Sequence, residues 1–203
     1  MLLKIHPEDP NPHEINIVIE HLKAGQVIIY PTDTVYALAC DMLNRKAVER
    51  LCQIKGVKLE QANFSLICNS LSHLSDFTKN VNTATYKLMK KSLPGPFTFI
   101  LNANNKVPKI FKSNKKTIGI RIPKNNIAIN LVEQLGNPLI STSIHDKDEI
   151  LEYTTDPELI YNRYKDLVEV TIDGGYGSNI ASTIIDCTGD EPLIIREGKG
   201  VLV

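Results

Sequence analysis

Tryptophan is missing from this 203-residue chain, so no indole is available for stacking or for anchoring at an interface. Cysteine is scarce: Cys40, Cys52, Cys68 and Cys187 are the four present. They lie far apart, with no CxxC pair and no histidine at metal-ligand spacing, which argues against a bound metal or a disulfide framework. Each sits in or beside an apolar stretch and reads as a small buried hydrophobe. No apolar run approaches the roughly 20 residues that cross a bilayer. The opening Met1-Leu2-Leu3-Lys4-Ile5-His6-Pro7 has too short an apolar stretch for a secretory signal, so a cytoplasmic location and no membrane partner are expected. Also lacking are a GxxxxGK[ST] phosphate loop, a GxGxxG after the first strand and a GxSxG elbow. The five histidines (His6, His13, His21, His73 and His145) are scattered, with no identifiable cysteine or serine partner. His145 alone stands near a candidate site, and it reads as a surface loop residue.

Net charge is also lacking: 23 basic residues balance 23 acidic ones, which excludes a protein coated in positive charge. The sum hides an asymmetry. From Lys87 to Lys124 there are ten Lys or Arg and no Asp or Glu, whereas Glu133 to Glu191 holds thirteen acidic residues against Lys147, Arg163 and Lys165. The split predicts an anion-attracting face opposite an acidic one; the alternative is a solvated lysine-rich surface. With 42% hydrophobic and 23% charged residues and no repeat or linker, residues 1–203 read as a single globular domain that needs no staples.

Ile15, Val18, Ile19 and Leu22 fall on one face of a helix over 14–24 that Gly25 stops. Gln26 to Tyr30 reads as a buried strand. Asn44 can cap a second helix that carries Val48, Leu51 and Cys52 inward and is closed by Gly56. Further strands are expected at 64–68, 97–101, 117–122, 138–142, 167–172, 182–186 and 192–195, with helices at 83–91, 127–135 and 157–165. Helices alternating with short β-branched strands predict an α/β fold, and the crowding of strands toward residue 195 favours a mixed sheet.

Polar residues then cluster at strand ends. The strand 26–30 runs into Pro31-Thr32-Asp33-Thr34-Val35-Tyr36. This segment could line a crevice at the strand's carboxyl end, or it could be a turn whose Asp33 and threonines bond their own backbone; local chemistry leaves both open. Lys55 ends a helix. Thr117 and Arg121 share a strand face by their even spacing, as do Ser141 and Ser143. Arg121 and Arg196, beside apolar strands, each need an anionic partner, from the protein or from a ligand. Cations and hydroxyls without an obvious covalent nucleophile suit phosphoryl or nucleotidyl transfer, where positioning and charge stabilisation dominate.

Five segments in register make the sequence similar to the YrdC/YciO family over nearly its whole length. They are Ile28–Leu38, Pro94-Gly95-Pro96-Phe97-Thr98, Thr117–Pro123, Ser182-Thr183-Ile184-Ile185-Asp186 and Arg196-Glu197-Gly198. The resemblance implies a twisted mixed sheet with flanking helices and a positively charged concave cavity, binding ATP and RNA (tRNA or double-stranded RNA). It implies formation of threonylcarbamoyl-AMP and pyrophosphate from threonine, bicarbonate and ATP with Mg²⁺, the threonylcarbamoyl group passing to an adenosine beside the tRNA anticodon. By position it makes Thr34, Arg121, Ser141 and Ser182 contacts for the amino acid. Lys55, Thr117, Ser143 and Arg196 become contacts for ATP, with Lys55 catalytic through charge on the phosphates. The chain departs from the synthase pattern at Lys55-Gly56-Val57, where Lys-x-Arg is usual, and at Ser141-Thr142-Ser143, where Ser-Ala-Asn is usual; Ala37 replaces a glycine. These departures, with Ile5-His6-Pro7 and Asn63-Phe64-Ser65-Leu66, resemble the YciO branch and predict slowed synthesis. A non-catalytic RNA-binding module is the alternative.

Overall fold

The computed structural model describes residues 1–59, 62–108, 116–144 and 155–202. His145 and three lysines of the basic stretch, Lys109, Lys112 and Lys115, lie outside the described residues. In chain order the elements are β1 (Leu2–Lys4), α1 (Pro12–Lys23), β2 (Ile28–Tyr30), β3 (Ala37–Asp41), α2 (Arg45–Lys55), β4 (Ser65–Ile67), α3 (Leu71–Ser75) and α4 (Thr83–Ser92). β5 (Phe97–Asn102), β6 (Thr117–Arg121), α5 (Asn126–Leu135), β7 (Leu139–Ser143), α6 (Pro157–Tyr164), β8 (Val170–Asp173), β9 (Thr183–Asp186) and β10 (Leu193–Arg196) follow. The expected α/β architecture is present, and one ten-stranded sheet runs β1-β8-β2-β3-β7-β4-β6-β5-β9-β10. It is mixed: β8 pairs in parallel with β1 and β2, while β3 is antiparallel to both its neighbours.

Each helix named above begins on a polar cap whose side chain accepts a backbone N–H: Asn11, Asn44, Ser70, Asn82, Asn125 and Asp156. These caps satisfy amides that have no partner within the helix. α2 ends as its sequence predicts. Gly56 adopts φ 64°, and the Gly56 and Val57 amides turn back to the Gln53 and Cys52 carbonyls, the closure that glycine favours.

Three elements carry no sequence signal of their own. β1 has three residues and α3 five, too few for either period to register. β3 reads Ala-Leu-Ala-Cys-Asp, poor in β-branched residues, and is a strand because β2 and β7 pair with it on both sides.

The pleat sorts the sheet into two faces, and these differ. One face, with Ile29, Leu38, Leu66, Phe99, Ile120, Ile140 and Ile185, is buried from β2 to β9 beneath α2, α3, α4 and α6, while edge strand β10 is exposed. On the other, α1 and α5 pack together over Ile28, Tyr30, Ala37, Ala39, Leu139, Val170 and Ile172. That second layer covers chiefly the β8-β2-β3-β7 half, reaching Ile67 at the end of β4. Over β4, β6, β5 and β9 the same face carries Ser65, Gly119, Thr98 and Ile184, which line an open cleft. The cleft therefore opens where the helix layer ends, and β3 and β7 contribute Ala37, Ser141 and Ser143 to its near wall. All four cysteines are buried thiols in the first layer, as read from their surroundings, and burial pushes Cys68 up to about 12 and Cys187 up to about 11. No helix among the described residues is long and apolar enough to cross a membrane.

Candidate functional site

The cleft has two adjoining chambers. The smaller, about 100 Å³, is lined by Thr34, Arg121, Ser141, Ser143, Ser182 and Arg196 among others. The larger, about 270 Å³, contains Thr117 and an apolar wall of Phe64, Ile100, Ile184 and Ile195. Asn63, Ser65, Thr98 and Ile184 belong to both. Seven of the eight residues singled out in the sequence thus line one continuous depression. The eighth, Lys55, stands beside it, its Nζ donating to the Ser143 carbonyl at 2.9 Å.

Arg121 is only 8% exposed and comes up from β6 with Thr117 and Gly119 on the same face, Ile118 and Ile120 pointing into the core. Its Nη2 donates to Asp33 Oδ1 at 2.9 Å and to Thr34 Oγ1 at 3.0 Å. The second Asp33 oxygen accepts from the Lys124 amide, and Lys199 Nζ donates to the Asp33 carbonyl. Asp33 is the anionic partner that a buried arginine requires. Arg121 Nε is buried without a hydrogen-bond partner, so the guanidinium retains donor capacity.

Both readings of the Pro31–Tyr36 segment hold, for different residues. Thr32 bonds its own turn, donating to the Val35 carbonyl and accepting from the Thr34 amide. Because a hydroxyl has one proton, the 3.0 Å contact between the two threonines is donated by Thr34. Its oxygen is left to accept from Arg121 at the cleft wall. Ser141 is fixed in the same way. It donates to the Leu38 carbonyl, so the 2.9 Å contact with Tyr30 is donated by the phenol. Burial pushes that phenol up to about 12, which keeps it protonated for the task.

Arg196 donates from Nε and Nη2 to the Ser182 carbonyl and from Nη2 to its hydroxyl, which also meets Thr98 Oγ1 at 2.8 Å. Partial burial and the nearby Arg121 charge both lower the Arg196 guanidinium. Two cations that disfavour each other across a cleft are each stabilised by an anion placed between them. Arg121 and Arg196, with Lys55 and Lys199 at the margins and Asp33 holding Arg121, give the cleft that chemistry.

Tyr30, Asn63, Ser65, Thr98 and Lys199 also stand at the cleft or bond its walls, although neither their spacing nor the family resemblance assigns them a contact. A usable signal existed for Thr98: in Phe97-Thr98-Phe99-Ile100-Leu101 it is the polar residue that breaks an apolar alternation. Lys199 reaches its place through the fold of residues 196–200, which local sequence does not encode. A larger cavity of about 780 Å³ lies near β1 and α6. It contains none of the eight residues, and its Asp156 and Asp173 carboxylates accept backbone amides of a helix start and a turn.

Residues 20–198 match the family model Sua5_yciO_yrdC, described as "Telomere recombination". An uncharacterized protein of Haemophilus influenzae is 43% identical over 199 residues, covering 97% of this chain and 94% of its own. Escherichia coli YciO, also uncharacterized, is 41% identical over 97% of this chain and 94% of its own. The crystal structure of E. coli YciO superposes with a TM-score of 0.91 at 40% identity, covering 99% of this chain and 97% of that one. A threonylcarbamoyl-AMP synthase of Pyrococcus abyssi is 28% identical over 91% of this chain and 54% of its own length. A P. abyssi Sua5 structure superposes at 0.86 with 27% identity, covering 98% of this chain and 60% of that one.

Proposed function

The chain belongs to the Sua5/YciO/YrdC family, and on that footing we propose that its cleft forms an acyl adenylate, threonylcarbamoyl-AMP, from threonine, bicarbonate and ATP. The observation that carries this reading is the convergence of Arg121, Arg196 and a set of fixed hydroxyls on one two-chambered cleft. Threonine and bicarbonate first lose water to give a carbamate on the amino nitrogen. A carbamate oxygen then attacks the α-phosphorus and pyrophosphate departs, so the mixed anhydride forms as the α–β phosphoanhydride breaks. Arg121 clamps the amino-acid carboxylate, with Thr34, Ser141 and Ser182 orienting the remainder. Lys55 and Arg196 offset charge on the phosphates, and Thr117 and Ser143 position the nucleotide. Mg²⁺ accompanies the phosphates, its usual ligands.

Lys55→Ala tests the proposal, because loss of one transition-state cation costs about 10²–10³ in rate by analogy with a lost oxyanion donor. Purified protein with ATP, Mg²⁺, bicarbonate and threonine should release pyrophosphate and the adenylate, and the variant should be slower by that factor. Equal product from both would sink the reading. The exposed Val57, 38% accessible just past the Gly56 turn, stands where synthases carry arginine and sets the expectation of a slow wild-type rate.

A role linked to tRNA modification brings an RNA partner into the proposal. Its motivation is the acid-free stretch 87–124, whose Lys87, Lys90 and Lys91 lie on α4, with Lys90 and Lys91 in its last turn. Binding through phosphates should weaken steeply with salt, roughly a thousandfold between 50 and 200 mM for about six contacts. An affinity that does not change with salt would refute RNA binding of this kind.

A further inference from the structure

The middle residue of the β6 cleft face has no side chain. Thr117 lines the larger chamber and Arg121 the smaller, and Gly119 lies between them, opposite Ser65 on β4 and Ile100 on β5. Glycine weakens an inner strand, and its presence there marks a close approach by something else. Backbone conformation does not demand it, since Gly119 is not among the positive-φ residues. Space does. A Cβ at this position would stand 3.1 Å from Ser65 Oγ and 3.3 Å from Thr98 Cγ2, and both of those side chains are walls of both chambers. A methyl group at 119 would press on the two side chains that wall both chambers and so narrow the passage, or neck, between them.

We infer that Gly119 is a specificity-determining position: by lacking a side chain it keeps the neck open for a ligand that occupies both chambers at once, an acyl group joined to a nucleoside through a 5′-phosphate. This rests on the function proposed above. A ligand confined to one chamber, such as free threonine beside Arg121, does not cross the neck and is indifferent to residue 119. An adenylate must cross it: with its amino-acid end on Arg121 and its phosphate beside Ser143 and Arg196 in the smaller chamber, its nucleoside reaches toward Thr117 in the larger.

The test compares binding of free threonine with binding of a non-hydrolysable joined ligand by calorimetry: the 5′-O-sulfamoyl analogue of threonylcarbamoyl-AMP, in which threonine is joined through its nitrogen and keeps a free carboxylate. Gly119→Ala should weaken the joined ligand roughly ten- to two-hundredfold, the discrimination a single methylene gives in a tight pocket, and leave threonine binding unchanged. Removing the opposing side chain in Gly119→Ala/Ser65→Gly should restore the joined ligand. Ser65→Leu, which narrows the neck from β4 without touching β6, should reproduce the selective loss should Gly119→Ala fold poorly. Equal weakening of both ligands, or none, would overturn the inference while leaving the proposed function standing. Failure of the unsubstituted protein to bind the joined ligand would overturn both.

Discussion

Arg121→Ala should lower the unfolding free energy by about 3–5 kcal/mol, the cost of removing one partner from a buried ion pair. The side chains of Arg121 and Asp33 are each 10% exposed, and the contact between them is 2.9 Å. Losing the guanidinium leaves the Asp33 carboxylate enclosed with only the Lys124 amide on its second oxygen. The same change removes the clamp for a ligand carboxylate, so threonine should no longer raise the melting temperature. Arg121→Lys should recover part of the stability and little of the binding, because an ammonium cannot reproduce the two-pronged geometry. The control is Asp33→Asn/Arg121→Met, which removes both charges and should cost less than Arg121→Ala alone. Urea denaturation of the unsubstituted protein and the three variants makes the comparison. A loss below about 1 kcal/mol for Arg121→Ala, the scale of an exposed pair, would show that the pair behaves as a surface contact.

Gly198→Ala should be the second severe change, and for a different reason. A Cβ at Gly198 would lie 2.4 Å from the Ala181 carbonyl oxygen and within 2.7 Å of the Ser182 carbonyl. These are backbone atoms and cannot rotate away. The Lys199 amide bonds the Ala181 carbonyl, the Gly198 amide bonds Thr183 Oγ1, and that hydroxyl donates to the Gly200 carbonyl. Forcing the segment off would cost about 3 kcal/mol, the upper end of the usual overpacking range. It would also move Ser182 and Arg196, so ATP should lose its stabilising effect on the native state. Gly189→Ala, where a Cβ meets nothing within 4 Å, should leave both melting temperature and ligand response unchanged. Similar melting temperatures for the two alanine variants would refute the argument.

Much of this was readable from the chain before any fold was known. Asn44 and Gly56 bracket α2 as their chemistry requires. The even spacing of Thr117 and Arg121 on β6 placed both on the face that became the cleft. Asp33 was less legible: its partner Arg121 is 88 residues away, and nothing local chooses between that reach and an ordinary turn. The same holds for Tyr30, whose phenol meets Ser141 only because β3 and β7 pair in a given register. Ser65 and Gly119 make the general point. Each is unremarkable in its own strand, and the neck between the chambers exists only once β4 and β6 lie side by side.

The sheet's edges and the cleft also set an order on the making of the protein. β1, formed by residues 2–4, has β8 at residues 170–173 as its neighbour in the sheet, so it waits unpaired until those residues are made. The turn that holds Asp33 is tied at its rim by Lys199, and Ser182 is held by Arg196. A ribosome-bound chain that has not yet reached Gly200 therefore has neither a finished cleft nor the segment that closes over β9. Contacts of such long sequence separation fold slowly. Until they form, the incomplete edge is exposed to pairing with other chains, and the cleft wall at Ser182 is held only once residues 196–200 are in place.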